Sequence, residues 1–239
     1  MAVHLTEEEQ LESLKRWWAE NGKSTVVGVV LAAAAYLGWG AWQDHKQAAS
    51  EASSAQYQML QQAVQVQPGS KLPEEKLVTA KHLADELKAS NPGSLYASLG
   101  AMLKARIALE SGDTQTAETE LQWVIERNTD KALTNTAKMR LARLQIAAQQ
   151  YDAALQTVAD TADLSYKGAF AELRGDVLVA QGKTGEARAA YQLALDNLIQ
   201  DLQSRRPLLE MKLQDLQTAA PASTTAPEAA VSAPVGADS

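Results

Sequence analysis

The residues in this chain whose types and spacing suit chemistry are two arginines, each four positions after a methionine. Met102 and Arg106 recur 37 residues later as Met139 and Arg143. Methionine fits its flexible thioether to varied apolar partners, and arginine grips a carboxylate through two parallel hydrogen bonds. Leu99 and Leu109 flank the first pair, and Thr136 and Ile146 flank the second. The chemistry implied is recognition of a peptide or protein segment in a groove lined by Leu99, Met102, Arg106, Leu109, Met139, Arg143 and Ile146. A plainer alternative stays open, in which the methionines are core residues and the arginines are merely solvated.

Reaction chemistry has less to draw on. Cysteine is absent, so disulfides, thiolate zinc sites, iron-sulfur clusters and cysteine nucleophiles are excluded. His4, His45 and His82 fall in different segments and form no His-Glu-x-x-His ligand pattern. A phosphate-binding loop, a dinucleotide glycine fingerprint and a Gly-x-Ser-x-Gly elbow are all missing from the sequence. Carboxylate pairs such as Glu74-Glu75 and Glu118/Glu120 belong to helix starts and exposed faces, where solvation explains them. The sequence therefore reads as non-catalytic, with no cofactor and no metal. A net charge of -7 argues against a nucleic-acid surface, which needs a basic face.

The elements that position these residues are helices. With 44 Ala, four Ile and one Phe, the chain lacks the β-branched and aromatic residues that furnish a large sheet. Ser24 to Gln43 carries no charge over 20 residues, roughly the span of a 30 Å hydrocarbon core. Trp17 and Trp18 precede this run, and Trp39 and Trp42 close it, as amphipathic rings do at the two headgroup levels. Lys15, Arg16 and Lys23 lie before it and only Lys46 soon after, which predicts a cytoplasmic amino end and a periplasmic remainder. A cleaved signal peptide fits less well, because Glu7, Glu8, Glu9, Glu12 and Glu20 populate what should be a basic leader. Within the span Gly28, Ala32 and Ala35 share one side, the spacing that admits another membrane helix, although an alanine run produces it by chance as well.

The exported part reads as a chain of helices. A polar, alanine-rich helix continues outward to a break at Pro68-Gly69-Ser70, and Pro73 starts the next. Further breaks are expected at Asn91-Pro92-Gly93, Gly112-Asp113, Asn128 to Asp130, Gln149 to Asp152, Asp160 to Ser165 and Gly182-Lys183. Pro207 is expected to open a last helix. Ala105, Ala142 and Gly175 share one register, at intervals of 37 and 33 residues; Ala117, Ala154 and Ala187 keep the same intervals, as do Leu121, Val158 and Tyr191. Small residue, turn, small residue, large residue is what two closely approaching antiparallel helices need, and the period matches tetratricopeptide-type repeats. An irregular helical bundle is the alternative. The expected fold is all-α: a cytoplasmic segment 1–23, a transmembrane helix 24–43, a helical stalk 44–73, a tetratricopeptide-like array 74–218 and a disordered Ala/Pro-rich tail 219–239.

KRWWAENGK, from Lys15 to Lys23, followed at once by the Val/Gly/Ala span, resembles the membrane-entry motif of the YfgM family. The resemblance continues at Leu141-Ala142-Arg143, from Ala171 to Ala187 and from Leu209 to Leu213, and covers the chain to about Thr218. It implies a single-pass inner-membrane protein with a periplasmic array, associated with the SecYEG translocon and the anchored chaperone PpiD, that helps exported client proteins reach folding factors. The runner-up reading is an adaptor of the same topology that docks envelope-assembly or cell-wall proteins.

Overall fold

The computed structural model describes residues 7–65, 72–159 and 161–218. Among these residues every regular element is a helix and no strand occurs. In chain order they are α1 (Glu7–Ala63), α2 (Glu74–Ser90), α3 (Leu95–Glu110), α4 (Thr114–Arg127), α5 (Lys131–Ala147), α6 (Tyr151–Thr157), α7 (Leu164–Ala180), α8 (Thr184–Asp196), the 3-10 helix η1 (Gln200–Arg205) and α9 (Arg206–Thr218). The expected break at Pro68-Gly69-Ser70 and the tail 219–239 lie outside the described residues. The chain divides into two compact units, Met1–Lys104 and Ala105–Ser239.

The first unit is built on α1, 57 residues without a break and so about 85 Å long. It is long and apolar enough to cross a membrane, and its apolar window is wholly unburied. Tryptophan pairs mark the window's ends: the Trp17 and Trp18 ring centroids lie 6.2 Å apart, those of Trp39 and Trp42 5.1 Å apart. Beyond the window the same helix packs on α2, where Ser53 and Leu60 are buried along with Ala80, Ala84 and Leu87. Gly100 lets α3 close on this pair, since a Cβ there would sit 3.1 Å from Leu87 Cδ1 and 3.6 Å from Leu60 Cδ2. Glu74 and Glu75 fill the first turn of α2, where carboxylates offset the positive helix end.

In the second unit the registers read from the sequence are packing positions. Ala105, Ala142 and Gly175 are buried, as are Ala117, Ala154 and Ala187, and Leu121, Val158 and Tyr191 plug the gaps. The turns repeat as well. At Gly112, Gln149 and Gly182 the chain adopts a left-handed conformation, with φ of 82°, 60° and 75°. Each is followed by a six-residue return bond: Asp113 N–H to Ala108, Gln150 N–H to Gln145 and Lys183 N–H to Leu178, all at 2.8 Å. These bonds satisfy carbonyls that the end of a helix leaves open. Asp113, Asp130 and Asp163 then cap α4, α5 and α7 by accepting from backbone N–H groups at 2.8 to 3.0 Å.

One expectation needs correction. Pro207 is the second residue of α9, because a proline in the first turn loses no intrahelical bond and Arg206 can precede it. The segment before it is the 3-10 helix η1, which no apolar period announces. α6 is also shorter than the other helices, with seven residues against 14 in α4 and 13 in α8.

Candidate functional site

The structure places each residue of the expected groove within its own unit. In the first, Leu99 is half-buried and Met102 is buried, 6% exposed. In the second, Arg106 is exposed and its Nε lies 3.4 Å from Glu110 Oε1, one turn on, while Leu109 is exposed. Met139 and Ile146 pack against a cluster of Ala142, Val158, Phe170 and Leu173, with Tyr166 beside them. They belong to the seam between α5 and α7, and Arg143 projects from α5 into solvent. Gly28, Ala32 and Ala35 are all exposed on α1, with nothing within 4 Å of a Cβ at Gly28.

An open cleft of about 710 Å³ lies beside α4, α5 and α6. Leu141 and Ile125 supply its apolar part, and Gln122, Glu126, Lys138, Gln156 and Thr157 its polar part. Gln145 helps shape it from beneath, accepting a hydrogen bond from Thr157 Oγ1 at 2.8 Å. Among the described residues no group of three or more His, Asp or Glu could hold a metal ion. His82 does have a carboxylate one turn on, Glu86, with 3.5 Å between Nε2 and Oε1; both side chains are exposed.

The most developed polar site was not anticipated from the sequence. Glu172 on α7 is 7% exposed and receives Arg205 Nη2 at 2.7 Å on both carboxylate oxygens, Arg205 Nε at 3.2 Å and Lys212 Nζ at 3.0 Å. Lys212 also donates to Asp176 Oδ1 at 2.6 Å, and the Tyr191 hydroxyl donates to the same oxygen at 2.7 Å. The ammonium of Lys212 lies 5.3 Å from the centroid of the Tyr191 ring. Burial by itself pushes the Glu172 carboxyl up, but hydrogen bonds from Arg205 and Lys212, with their charges, outweigh it and hold the group below its usual value. Burial, and then the hydrogen bond to the Asp176 carboxylate, push the Tyr191 phenol well above its usual range. Four elements, α7, α8, η1 and α9, meet here, and the ion pairs join them.

Against known proteins, the tetratricopeptide repeat-like domain family model matches residues 15–218. The chain belongs to this family. Three similar proteins are each named as an ancillary SecYEG translocon subunit. The Haemophilus influenzae protein is 30% identical over 216 residues, 90% of this chain and 100% of its own. The Escherichia coli protein is 28% identical over 216 residues, 90% of this chain and 99% of its own. The Neisseria gonorrhoeae protein is 29% identical over 218 residues, 91% of this chain and 100% of its own. The resemblance drawn from KRWWAENGK and the later stretches is borne out. The family match takes in the apolar window of α1 and ends where α9 ends.

Proposed function

We infer that this protein is an ancillary subunit of the SecYEG translocon. It is a membrane-anchored, non-catalytic scaffold that takes segments of newly exported chains and passes them to periplasmic folding factors, PpiD among them. The observation that carries the reading is the alignment of relatives bearing the translocon name over nine-tenths of the chain, anchor and array alike. The anchor is the apolar window of α1, with 1–23 on the cytoplasmic side and the array in the periplasm. The charges before and after the window support that orientation. Tethering supports the rest, because it confines the array near the channel and raises effective concentration, so that weak contacts suffice.

The client surface in this reading is made of what the helices leave open: Arg106, Leu109 and Arg143, with the cleft beside α4, α5 and α6. Met139 and Ile146 hold the helices of the second unit that present it, while Leu99 and Met102 belong to the first unit. The stripe of Gly28, Ala32 and Ala35 is where a translocon helix would approach in the membrane.

Gentle solubilisation and affinity purification of the native protein tests the assignment. Co-purification of the channel together with PpiD is expected; reproducible recovery of cell-wall enzymes alone would replace it with the adaptor reading. Protease added to the periplasmic side of spheroplasts should digest the array and spare the first segment, and the reverse pattern would invert the topology.

A further inference from the structure

The amino-terminal part of α1 carries an apolar side that stands open. Leu11, Leu14, Trp17 and Trp18 are between 48% and 59% exposed. At about 3.6 residues per turn, Leu11, Leu14 and Trp18 share one side of the helix, with Trp17 at its edge. Glu9, Glu12, Arg16, Glu20 and Lys23 fall on the opposite side, and Lys15 on a flank. The Trp18 ring lies along the helix over Gly22, where a Cβ would stand 3.3 Å from it, so the apolar surface runs on toward the span.

Lipid does not cover this side. Because α1 is unbroken from Glu7 to Ala63, its first turns cannot fold back onto the bilayer surface. At a rise of about 1.5 Å per residue, Leu14 stands about 15 Å and Leu11 about 20 Å before Ser24, whereas the headgroup layer is only about 5–8 Å thick. Trp17 and Trp18 reach its outer edge, and the two leucines lie beyond it in water. A continuous apolar surface held in water marks a contact with another protein.

The same side runs through the span and ends beneath α2. Trp17, Ala35 and Ser53 recur every 18 residues, about five full turns, and Gly28 lies within about 20° of them. Ser53 is buried, and its Oγ accepts a hydrogen bond at 3.4 Å from Nδ2 of Asn91, the residue that ends α2. In the exported part a helix of the same chain thus covers this side; from Leu11 to Ala35, among the described residues, none does. Helix axes in contact lie about 8–10 Å apart, so a second copy inserted in the same direction and paired on this side would contend with α2 for one place. The occupant is therefore a helix of a different protein, and it leaves α1 before Ser53, about 15 Å beyond Gln43. A charge on its contact face would meet only leucine and tryptophan, while Gly28, with nothing within 4 Å of a Cβ, admits a close backbone.

We propose that this side of α1, from Leu11 to Ala35, docks one helix of a different membrane protein. That helix spans the bilayer and continues about two turns past the headgroups on the amino-terminal side of α1, with an apolar, uncharged contact face. The proposal rests on the anchor reading above and extends its membrane contact into water.

The test places a photo-crosslinking amino acid singly at Leu11, Leu14, Ala35, Glu12 and Arg16 of the full chain in its native membranes. Leu11, Leu14 and Ala35 should give the same adduct with another protein, identified by mass spectrometry, at least fivefold above the yield at Glu12 and Arg16. Leu11→Glu combined with Leu14→Glu should cut the Ala35 adduct at least fivefold, while the circular dichroism of the purified chain stays that of the wild type. Different partners at Leu14 and Ala35, equal yields around the helix, or no protein adduct at Leu11 and Leu14 overturn the proposal. An adduct of twice the chain's own mass overturns it in favour of a second copy. Channel co-purification is scored separately. A shared adduct without the channel refutes the translocon assignment and upholds the docking side; channel recovery with no adduct at Leu11 or Leu14 does the opposite.

Discussion

Gly175→Ala separates two opposing effects by sign. Position 175 lies inside α7, where alanine is better than glycine by about 1 kcal/mol on helix propensity alone. Against that, a Cβ at 175 would stand 2.4 Å from Cε1 and 2.5 Å from Cδ1 of Tyr191, distances that no relaxed packing allows. The ring has little freedom to yield, since it is 3% exposed and its hydroxyl is tied to Asp176 at 2.7 Å. Overpacking of this kind costs about 1–3 kcal/mol, and losing a hydrogen bond to a charged acceptor about 1.5–3 kcal/mol more. The net expectation is destabilisation by about 2–4 kcal/mol, read as the urea midpoint of the detergent-solubilised chain by circular dichroism. The other two repeats place Ala105 with Leu121 and Ala142 with Val158, so Tyr191→Leu should partly rescue Gly175→Ala. The double variant should be more stable than the sum of the single effects by about 1–2 kcal/mol. A Gly175→Ala chain as stable as the wild type, or more so, would refute the close approach of α7 and α8 argued here.

Gln149 holds a left-handed φ of 60° in the register where the neighbouring repeats have glycine, so Gln149→Gly should raise stability by about 0.5 kcal/mol, and Gly112→Ala should lower it by about 1 kcal/mol, in the same urea titration. Asp130→Ala removes the acceptor of the Leu133 N–H at 2.8 Å and should cost about 1 kcal/mol by thermal melt. Glu172→Gln should cost about 2 kcal/mol at neutral pH, measured as the loss in unfolding free energy. The folded carboxyl is held below the ordinary value of 4.5, so its contribution is present above that value and is lost as pH falls through the folded one. The gap between wild type and Glu172→Gln should accordingly narrow as the pH drops below about 4.5, and a gap that widens in acid would contradict the assigned ion pairs.

What the sequence determined by itself was everything whose cause is local. The apolar run and its tryptophans mark a helix long and apolar enough to span a membrane, because bilayer thickness sets a length that twenty uncharged residues meet. Gly112, Asp113, Asp130, Asp163 and Gly182 mark helix ends, because caps and left-handed turns are decided within a few residues. The small-residue registers were legible because close helix approach repeats with the fold's own period. That period tells which residues share a face and is silent about which neighbour covers it. Only the tertiary structure decided that Met139 and Ile146 lie in a seam while Arg143 stands free. The same holds for the ionic site: Glu172 lies 33 residues from Arg205 and 40 from Lys212, and no local pattern links them. They meet because α9 folds back on α7 and α8, and a contact made by chain return leaves no trace in spacing.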